Sequence, residues 1–277
     1  MIKIITDSST LYRMEEAKEK ELDVMYLNVT INGKSYKEFV EMSPENFLDL
    51  IKEGGIPSSS QPSIGEVMEL YEKYENNEII DICMADGLSG TYQSALGAKA
   101  GLDNSENIHV VNTRTLCGPH RFLVDHALQM VKDNKSVDEI LESLDQHINT
   151  IKSFLLPQDF DFLRRGGRLT PLAAKVGGLL KIQPVMGQTE DGCRLEKFTI
   201  ARTFNGAIQT VLKEFQKEED PTSFNVYISH AGVLGQAEKV KETFLKQYPN
   251  LNIEILQLSP AFITQGGPGC IAIQWGK

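Results

Sequence analysis

Short apolar runs alternate with longer stretches of helical period along the first half of this chain. Residues 2–6 (Ile-Lys-Ile-Ile-Thr) read as a buried strand, and Asp7-Ser8-Ser9-Thr10 as a turn or N-cap for a charged helix over 13–21. Residues 23–31 alternate as a second strand that ends on the turn signal Asn32-Gly33. Ser43-Pro44 opens a helix with a cap and a proline at its first position, and Phe47, Leu48 and Ile51 give that helix its apolar face. Residues 58–63 form a polar loop, and Ser63 with Glu66 fits a capping box for the next helix, which runs through Tyr74. Strands are expected at 79–84 and 108–113. Helices are expected at 122–131 and 137–151, where Val137, Ile140, Leu141, Leu144 and Ile148 share one face. Strands that alternate with helices imply a parallel sheet covered on both faces.

After about residue 152 the pattern changes. Residues 183–188 and 194–200 flank Asp191-Gly192 as a hairpin, and a helix is expected over 203–217. Strands at 225–229, 253–258 and 270–275 and a helix at 236–246 complete the half. The expected fold class is therefore α/β with two domains. Residues 1–152 form a parallel-sheet, Rossmann-like domain, and 153–277 a mixed-sheet α/β domain.

Charge and cysteine usage narrow the function. The 277 residues carry 28 Lys and Arg against 38 Asp and Glu, a net charge of −10, and no basic run is longer than Arg164-Arg165. That argues against nucleic acid and against an anionic membrane surface as partners. No stretch approaches the ~18 apolar residues that a membrane-spanning helix needs, and the N-terminus reads as a strand rather than a signal peptide. Cys83, Cys117, Cys193 and Cys270 lie far apart, without metal spacing, and suggest reduced thiols in a cytoplasm. No metal site is expected.

Four loops can carry chemistry: residues 7–10, 58–63, 87–94 and 264–269. The third follows an apolar strand and enters a helix. Free N–H groups at such a helix start favour an anion. Ser89 and Thr91 add hydroxyls, but the turn lacks the lysine or arginine usual in a phosphate cradle. This suits a single weak charge such as a carboxylate. Serine and threonine are also ordinary helix caps, and a lone loop of this kind proves little. Three that converge at a sheet's carboxyl edge are harder to dismiss.

Arg164-Arg165-Gly166-Gly167-Arg168 is the most basic stretch, with a glycine cap after a helix as its plain alternative. The small apolar run 172–180 can wall a hydrocarbon slot, though helix packing is the commoner use. Catalytic constellations are weak, with no GxSxG elbow and no histidine pair at metal spacing. His230 is the histidine best placed to reach a cleft, and Ser89 with His230 leaves a hydrolase formally open without an acid partner.

Taken together, the loops resemble the DegV family of bacterial fatty-acid-binding proteins. The matching pieces are Ile5-Thr6-Asp7-Ser8-Ser9, Ser59-Ser60-Gln61-Pro62-Ser63, Gly87 through Ala95, Phe162 through Leu169, Ala201-Arg202-Thr203 and Gly267-Pro268-Gly269. They span nearly the whole chain in order, and the ordered set is specific where any single piece is not. The resemblance implies a two-domain fold with one long-chain fatty acid, such as palmitate, in a cleft between the domains and no further cofactor. It implies that Ser59 and Ser89 bind the carboxylate. Ser9, Gln61, Thr91, Arg168, Arg202 and Gln265 become secondary candidates for the head group or for docking.

The resemblance further implies a carrier that is not catalytic alone. It would present the acid to a fatty acid kinase catalytic subunit for acyl phosphate formation. The product would feed phospholipid synthesis through transient contact with an acyl-phosphate-using membrane enzyme. Two departures stand out. Gln265 occupies a place where the family often has histidine, and glutamine cannot carry charge or move a proton near neutrality. Ala85 and Asp86 stand where two serines are common, and Asp86 is expected to point away from a bound carboxylate. The rival readings are a transferase or hydrolase that acts on a small carboxylated or phosphorylated substrate at the same hydroxyls, and an interaction protein with a vestigial cleft.

Overall fold

The computed structural model describes residues 1–103, 105–176 and 182–277. Strand β1 (Ile2–Asp7) enters the protein interior, and the 3-10 turn Ser8–Thr10 follows it directly. Asp7 caps that turn by accepting from Ser9 N, so it does not cap α1 (Met14–Glu19), whose N-cap is Arg13.

The expected single strand over 23–31 is two strands, β2 (Asp23–Met25) and β3 (Asn28–Ile31), in different sheets. The break has a cause at Leu27. Its N–H donates to Ser8 Oγ at 2.9 Å and its carbonyl accepts from Glu38 N at 3.0 Å, which takes the chain off the first ladder. Alternation continues through the break, so the pattern alone does not show it. Asn32 and Gly33, at φ 52° and 74°, then turn β3 into β4 (Lys34–Lys37).

Ser43 caps α2 (Pro44–Lys52). Part of the expected loop 58–63 is a strand, β5 (Ser58–Ser60), which pairs antiparallel with β3 and completes a three-stranded sheet of order β4-β3-β5. Three consecutive serines have no apolar alternation, which is why the pattern hid it. The capping box of Ser63 and Glu66 opens α3 (Ile64–Lys73) as expected. Then come β6 (Glu78–Cys83), α4 (Thr91–Ala100), β7 (Ile108–Asn112), α5 (Gly118–Lys132) and α6 (Val137–Ile148). The main N-terminal sheet has the order β2-β1-β6-β7 with every pair parallel. One face packs Ile4, Ile80 and Ile82 against α5 and α6, and the other packs Ile5 and Ile79 against α3 and α4.

The second half begins with β8 (Lys152–Leu156) and α7 (Phe160–Gly166). The hairpin β9 (Gln183–Gln188) and β10 (Leu195–Ala201) follows, then α8 (Phe204–Phe215), β11 (Asn225–His230) and α9 (Leu234–Leu245). β12 (Asn252–Gln257), α10 (Pro260–Gly266) and β13 (Ile271–Gly276) end the chain. The six strands take the order β10-β9-β8-β13-β11-β12, and only β11 and β12 run parallel. Strand β8 and helix α10 lay outside the sequence expectation, and α7 entered it only as the helix before a glycine cap, since both helices are seven residues and too short to show a period.

Side-chain alternation along β13 decides what each face of this sheet does. Ile271, Ile273 and Trp275 point into a core with Val211, Phe215 and Phe244 from α8 and α9. Cys270, Ala272 and Gln274 therefore point the other way, toward the N-terminal half. A separate apolar cluster joins the halves there. It contains Leu27, Phe47, Met84 and Leu88 from one side and Leu258, Ala261, Ile263 and Cys270 from the other.

Candidate head-group ring and apolar slot

A slot lies between the two main sheets. Its N-terminal wall is Met84, Leu88, Leu116 and Cys117, its floor is the inner face of β8, β9, β10 and β13, and Phe262 and Leu163 close it from α10 and α7. The space between atoms, its mouth included, is about 720 Å³. Its lining is mostly apolar side chains, which suits a hydrocarbon. The expectation that run 172–180 lines the slot is not met where it can be seen: Leu172 is exposed and Ala173 packs on Leu163, Leu169 and Met186. Residues 177–180 lie outside the described residues.

At the slot's polar end a ring of contacts joins four chain segments. Gln265, on α10, donates from Nε2 to Ser59 Oγ on β5 at 3.1 Å. The Gln265 carboxamide lies against Gly166, where an added Cβ would sit 2.0 Å from its Oε1. Arg168 donates to Gly166 O and, from Nε, to Leu88 O at 3.0 Å. Ser89 and Gly90 come next, and the Gln61 carboxamide packs on Gly90, 2.9 Å from where a Cβ would stand. Two residues of β5 and its following loop lead from Gln61 back to Ser59, which closes the ring.

Local geometry explains why these residues can meet. Gly87 is at φ +84° and its absent Cβ would sit 2.7 Å from Cys193 O, so the turn needs glycine both for its backbone and for the approach of the β9–β10 hairpin. Helix α4 takes Gly90 as its N-cap, without a side-chain cap bond. The Ser89 hydroxyl stays local to the turn, 2.9 Å from Thr91 Oγ1 and accepting from Thr91 N at 3.3 Å. Gly167, at φ 71°, is the left-handed cap of α7, so the glycine-cap reading of this stretch holds and also delivers Arg168 to the ring.

The electrostatics favour one anion. Arg168 lines both the slot and a shallower recess with Ser89, Gly90 and Arg194. Burial, and Arg194 beside it, push the Arg168 pKa down, yet a guanidinium stays charged at any ordinary pH. Gln265 Oε1 is buried with no hydrogen-bond partner among the described residues. Asp86 keeps its carboxylate occupied, with Oδ1 accepting from Gly87 N at 3.0 Å and Oδ2 from Gln93 Nε2 at 2.9 Å.

Two expected site residues are not in the ring. Ser9 is fully buried and its hydroxyl lies 2.5 Å from His120 Nδ1, in a network with Thr6 and the carbonyl of Ile82. Arg202 is exposed in the turn between β10 and α8. Ser89 and His230 form no pair: His230 is buried and its Nδ1 accepts from Val233 N at 3.2 Å, and burial lowers its pKa. Among the described residues no group of three or more His, Cys, Asp or Glu side chains is disposed to hold a metal, and no helix is long and apolar enough to cross a membrane.

A buried tie behind the ring escaped the sequence reading. Glu38 is fully buried, accepting from Ser8 Oγ at 2.6 Å and from Ala261 N at 2.8 Å, so it fastens α10 to the N-terminal half. Burial pushes its pKa up to about 7 despite those bonds, with Asp7 adding to the rise. It stands just after a four-residue strand, and nothing local separates it from the surface acids around it.

A family model described as "Uncharacterised protein, DegV family COG1307" matches residues 1–277. The chain belongs to the DegV family. It is 31% identical over 273 residues to a DegV domain-containing protein of Staphylococcus aureus (strain N315), with 98% of this chain and 96% of that relative covered. A DegV domain-containing protein of Halalkalibacterium halodurans is 32% identical over 281 residues, with 99% and 98% covered. Among solved structures, DegV of Bacillus subtilis, described as a fatty acid binding protein, superposes with a TM-score of 0.87 at 26% identity. It covers 99% of this chain and 98% of its own. A DegV family protein from Thermus thermophilus reaches a TM-score of 0.90 at 23% identity over 100% and 99% of the two chains, which shows the shared mixed α/β fold.

Proposed function

We propose that this DegV protein binds one long-chain fatty acid, with its carboxylate at the ring and its tail in the slot. The observation that carries this reading is the junction of an apolar slot with a ring of hydroxyls, amides and one arginine. Ser59 and Ser89 are the proposed carboxylate ligands. Gln61, Thr91, Arg168 and Gln265 surround them, and Arg202 is left for docking. Support comes from relatives of the same fold: the Bacillus subtilis protein is described as fatty acid binding, and one from Thermotoga maritima, 26% identical with a TM-score of 0.84, as revealing a fatty acid binding function. Residues 1–152 and 153–277 serve as the two domains that enclose the ligand.

Most of the affinity belongs to the tail. Each buried methylene contributes about 0.8 kcal/mol, so about fourteen of them give ~11 kcal/mol before ordering costs. The head group sets orientation. On this reading the protein acts as a carrier, with the Ser89 hydroxyl held by Thr91. It presents the acid to a fatty acid kinase catalytic subunit in the cytoplasm for acyl phosphate formation, and the product goes on to phospholipid synthesis.

Native mass spectrometry of purified protein, with organic extraction of its contents, tests the binding claim. One fatty acid per chain is expected. No bound lipid, and no uptake when palmitate is added, would overturn the reading in favour of a small-anion enzyme. For the kinase role, loaded protein with ATP should yield acyl phosphate only when a kinase catalytic subunit is present. Turnover by this protein alone would reverse the assignment.

A further inference from the structure

The slot is not apolar throughout. From Cys270, beside the ring, the inward positions of β13 step through Ala272 to Gln274, about 13 Å along the strand at ~3.3 Å per residue. Gln274 lies opposite Ser153 in the β13–β8 ladder, and Gln188 of β9 lines the slot as well. A hydrocarbon tail would therefore leave the ring over Ala272 and Leu155 and reach a polar row of Gln274, Ser153 and Gln188. Gln188 Nε2 is held by the carbonyls of Arg114 and Gly192 at 3.1 and 3.3 Å, and a plain alkyl chain offers no hydrogen bond to the rest of the row.

Gln274 carries the argument. It is 1% exposed, and its Nε2 is fully used, donating to Leu116 O at 3.0 Å and to Ser153 Oγ at 2.9 Å. The Leu116 carbonyl, which can only accept, fixes which end of the carboxamide is which. Its Oε1 is buried, and among the described residues no donor reaches it. A buried carbonyl of this kind is costly unless a donor arrives. Ser153 accepts from Gln274, so its own hydroxyl hydrogen remains available, and it can both give and take at one polar atom of a ligand. A second observation agrees. Ser153, Phe154 and Gln188 also line an open polar cleft on the far side, so this end of the slot borders solvent rather than closed core.

We infer that the slot's far end recognises a hydroxyl on the distal part of the acyl chain, which makes hydroxylated long-chain fatty acids the preferred ligand class. The ligand O–H donates to Gln274 Oε1 and its oxygen accepts from Ser153. This rests on the fatty-acid reading above and deepens it. A polar row without a matching ligand hydroxyl is a penalty for an unsubstituted tail, which must strip water from it.

The test is competition by native mass spectrometry among stearic acid and its 10-hydroxy, 12-hydroxy and 18-hydroxy counterparts, on protein stripped of lipid. Wild type is expected to favour at least one hydroxy acid over stearic acid by about tenfold, and Gln274→Met to bring that ratio near one while it still binds stearic acid. Because Gln274 also ties to Leu116, Ser153→Ala is the second variant, with a smaller loss of preference and that tie retained. A wild type that prefers stearic acid to all three, or a preference unchanged in both variants, would overturn the inference and leave the row as a site for ordered water. Failure of every acid to bind would instead overturn the fatty-acid reading itself.

Discussion

The loops after β1 and β6 start from the same materials and finish as opposites. Both follow neighbouring parallel strands, both carry hydroxyls, and both point toward the carboxyl edge of one sheet. Residues 8–10 are fully buried, and their polar atoms are met from within. Asp7 takes Ser9 N at 2.8 Å and Met84 N at 2.8 Å, Glu38 takes Ser8, and His120 takes Ser9. In the loop over 87–91, Arg168 meets the Leu88 carbonyl, but among the described residues the Ser89 and Thr91 hydroxyls find only each other and the Thr91 amide. A polar loop whose bonds the protein completes is scaffold. One whose bonds it leaves to be shared is, on our proposal, a place for a ligand.

Breaking the scaffold loop should have the largest effect. Asp7→Ala orphans two buried N–H groups, each costing about 1–3 kcal/mol, so urea unfolding should show a loss of about 3–5 kcal/mol. A loss below 1 kcal/mol would mean that water replaces the carboxylate and that this loop is not sealed.

The next effect is pH-dependent. Glu38 rises from an ordinary 4.5 to about 7 in the folded protein. A raised carboxyl pKa means that the folded state holds its proton more tightly than the unfolded chain does. Its contribution is complete below pH 4.5 and is lost as pH climbs through about 7. At 1.36 kcal/mol per unit the fall is about 3 kcal/mol at most. Asp81, raised to about 6 by burial, adds a loss over an overlapping window. Unfolding free energies between pH 4.5 and 7.5 should decline, and Glu38→Gln should flatten the curve but leave the Asp81 part. An equal slope in that variant would remove Glu38 from the account.

The smallest pair of effects is the sharpest comparison. Ser9→Ala is expected to cost about 1–2 kcal/mol of stability and leave palmitate affinity unchanged. Ser89→Ala, and likewise Ser59→Ala, should weaken palmitate binding by about 1–2 kcal/mol in calorimetric titration, with stability within about 0.5 kcal/mol of wild type. If Ser9 changed affinity, or if neither Ser89 nor Ser59 did, the division between scaffold and site would be wrong.

Much of this was open to reading before any coordinates. Periods of two and 3.6 placed the parallel sheet, its helices and the β9–β10 hairpin, because burial on one face forces those periods on the chain. Capping chemistry placed the starts of α2 and α3, since it depends on residues three apart. The ordered loop motifs gave the family resemblance that the full-length match bears out.

What local pattern could not carry was partnership across distance. The split of residues 23–31 follows from Ser8 reaching Leu27, 19 residues away. The burial of Glu38 follows from the start of α10, 223 residues on. The polar row at the slot's end exists only because three antiparallel strands bring Gln274, Ser153 and Gln188 alongside. Sequence determined which residues can form strands, turns and caps, because those are set by backbone preference and by neighbours within a turn or two. Tertiary structure alone decided which hydroxyls are tied to distant partners and which are left to their neighbours, because a hydrogen bond is a matter of position to within a fraction of an ångström.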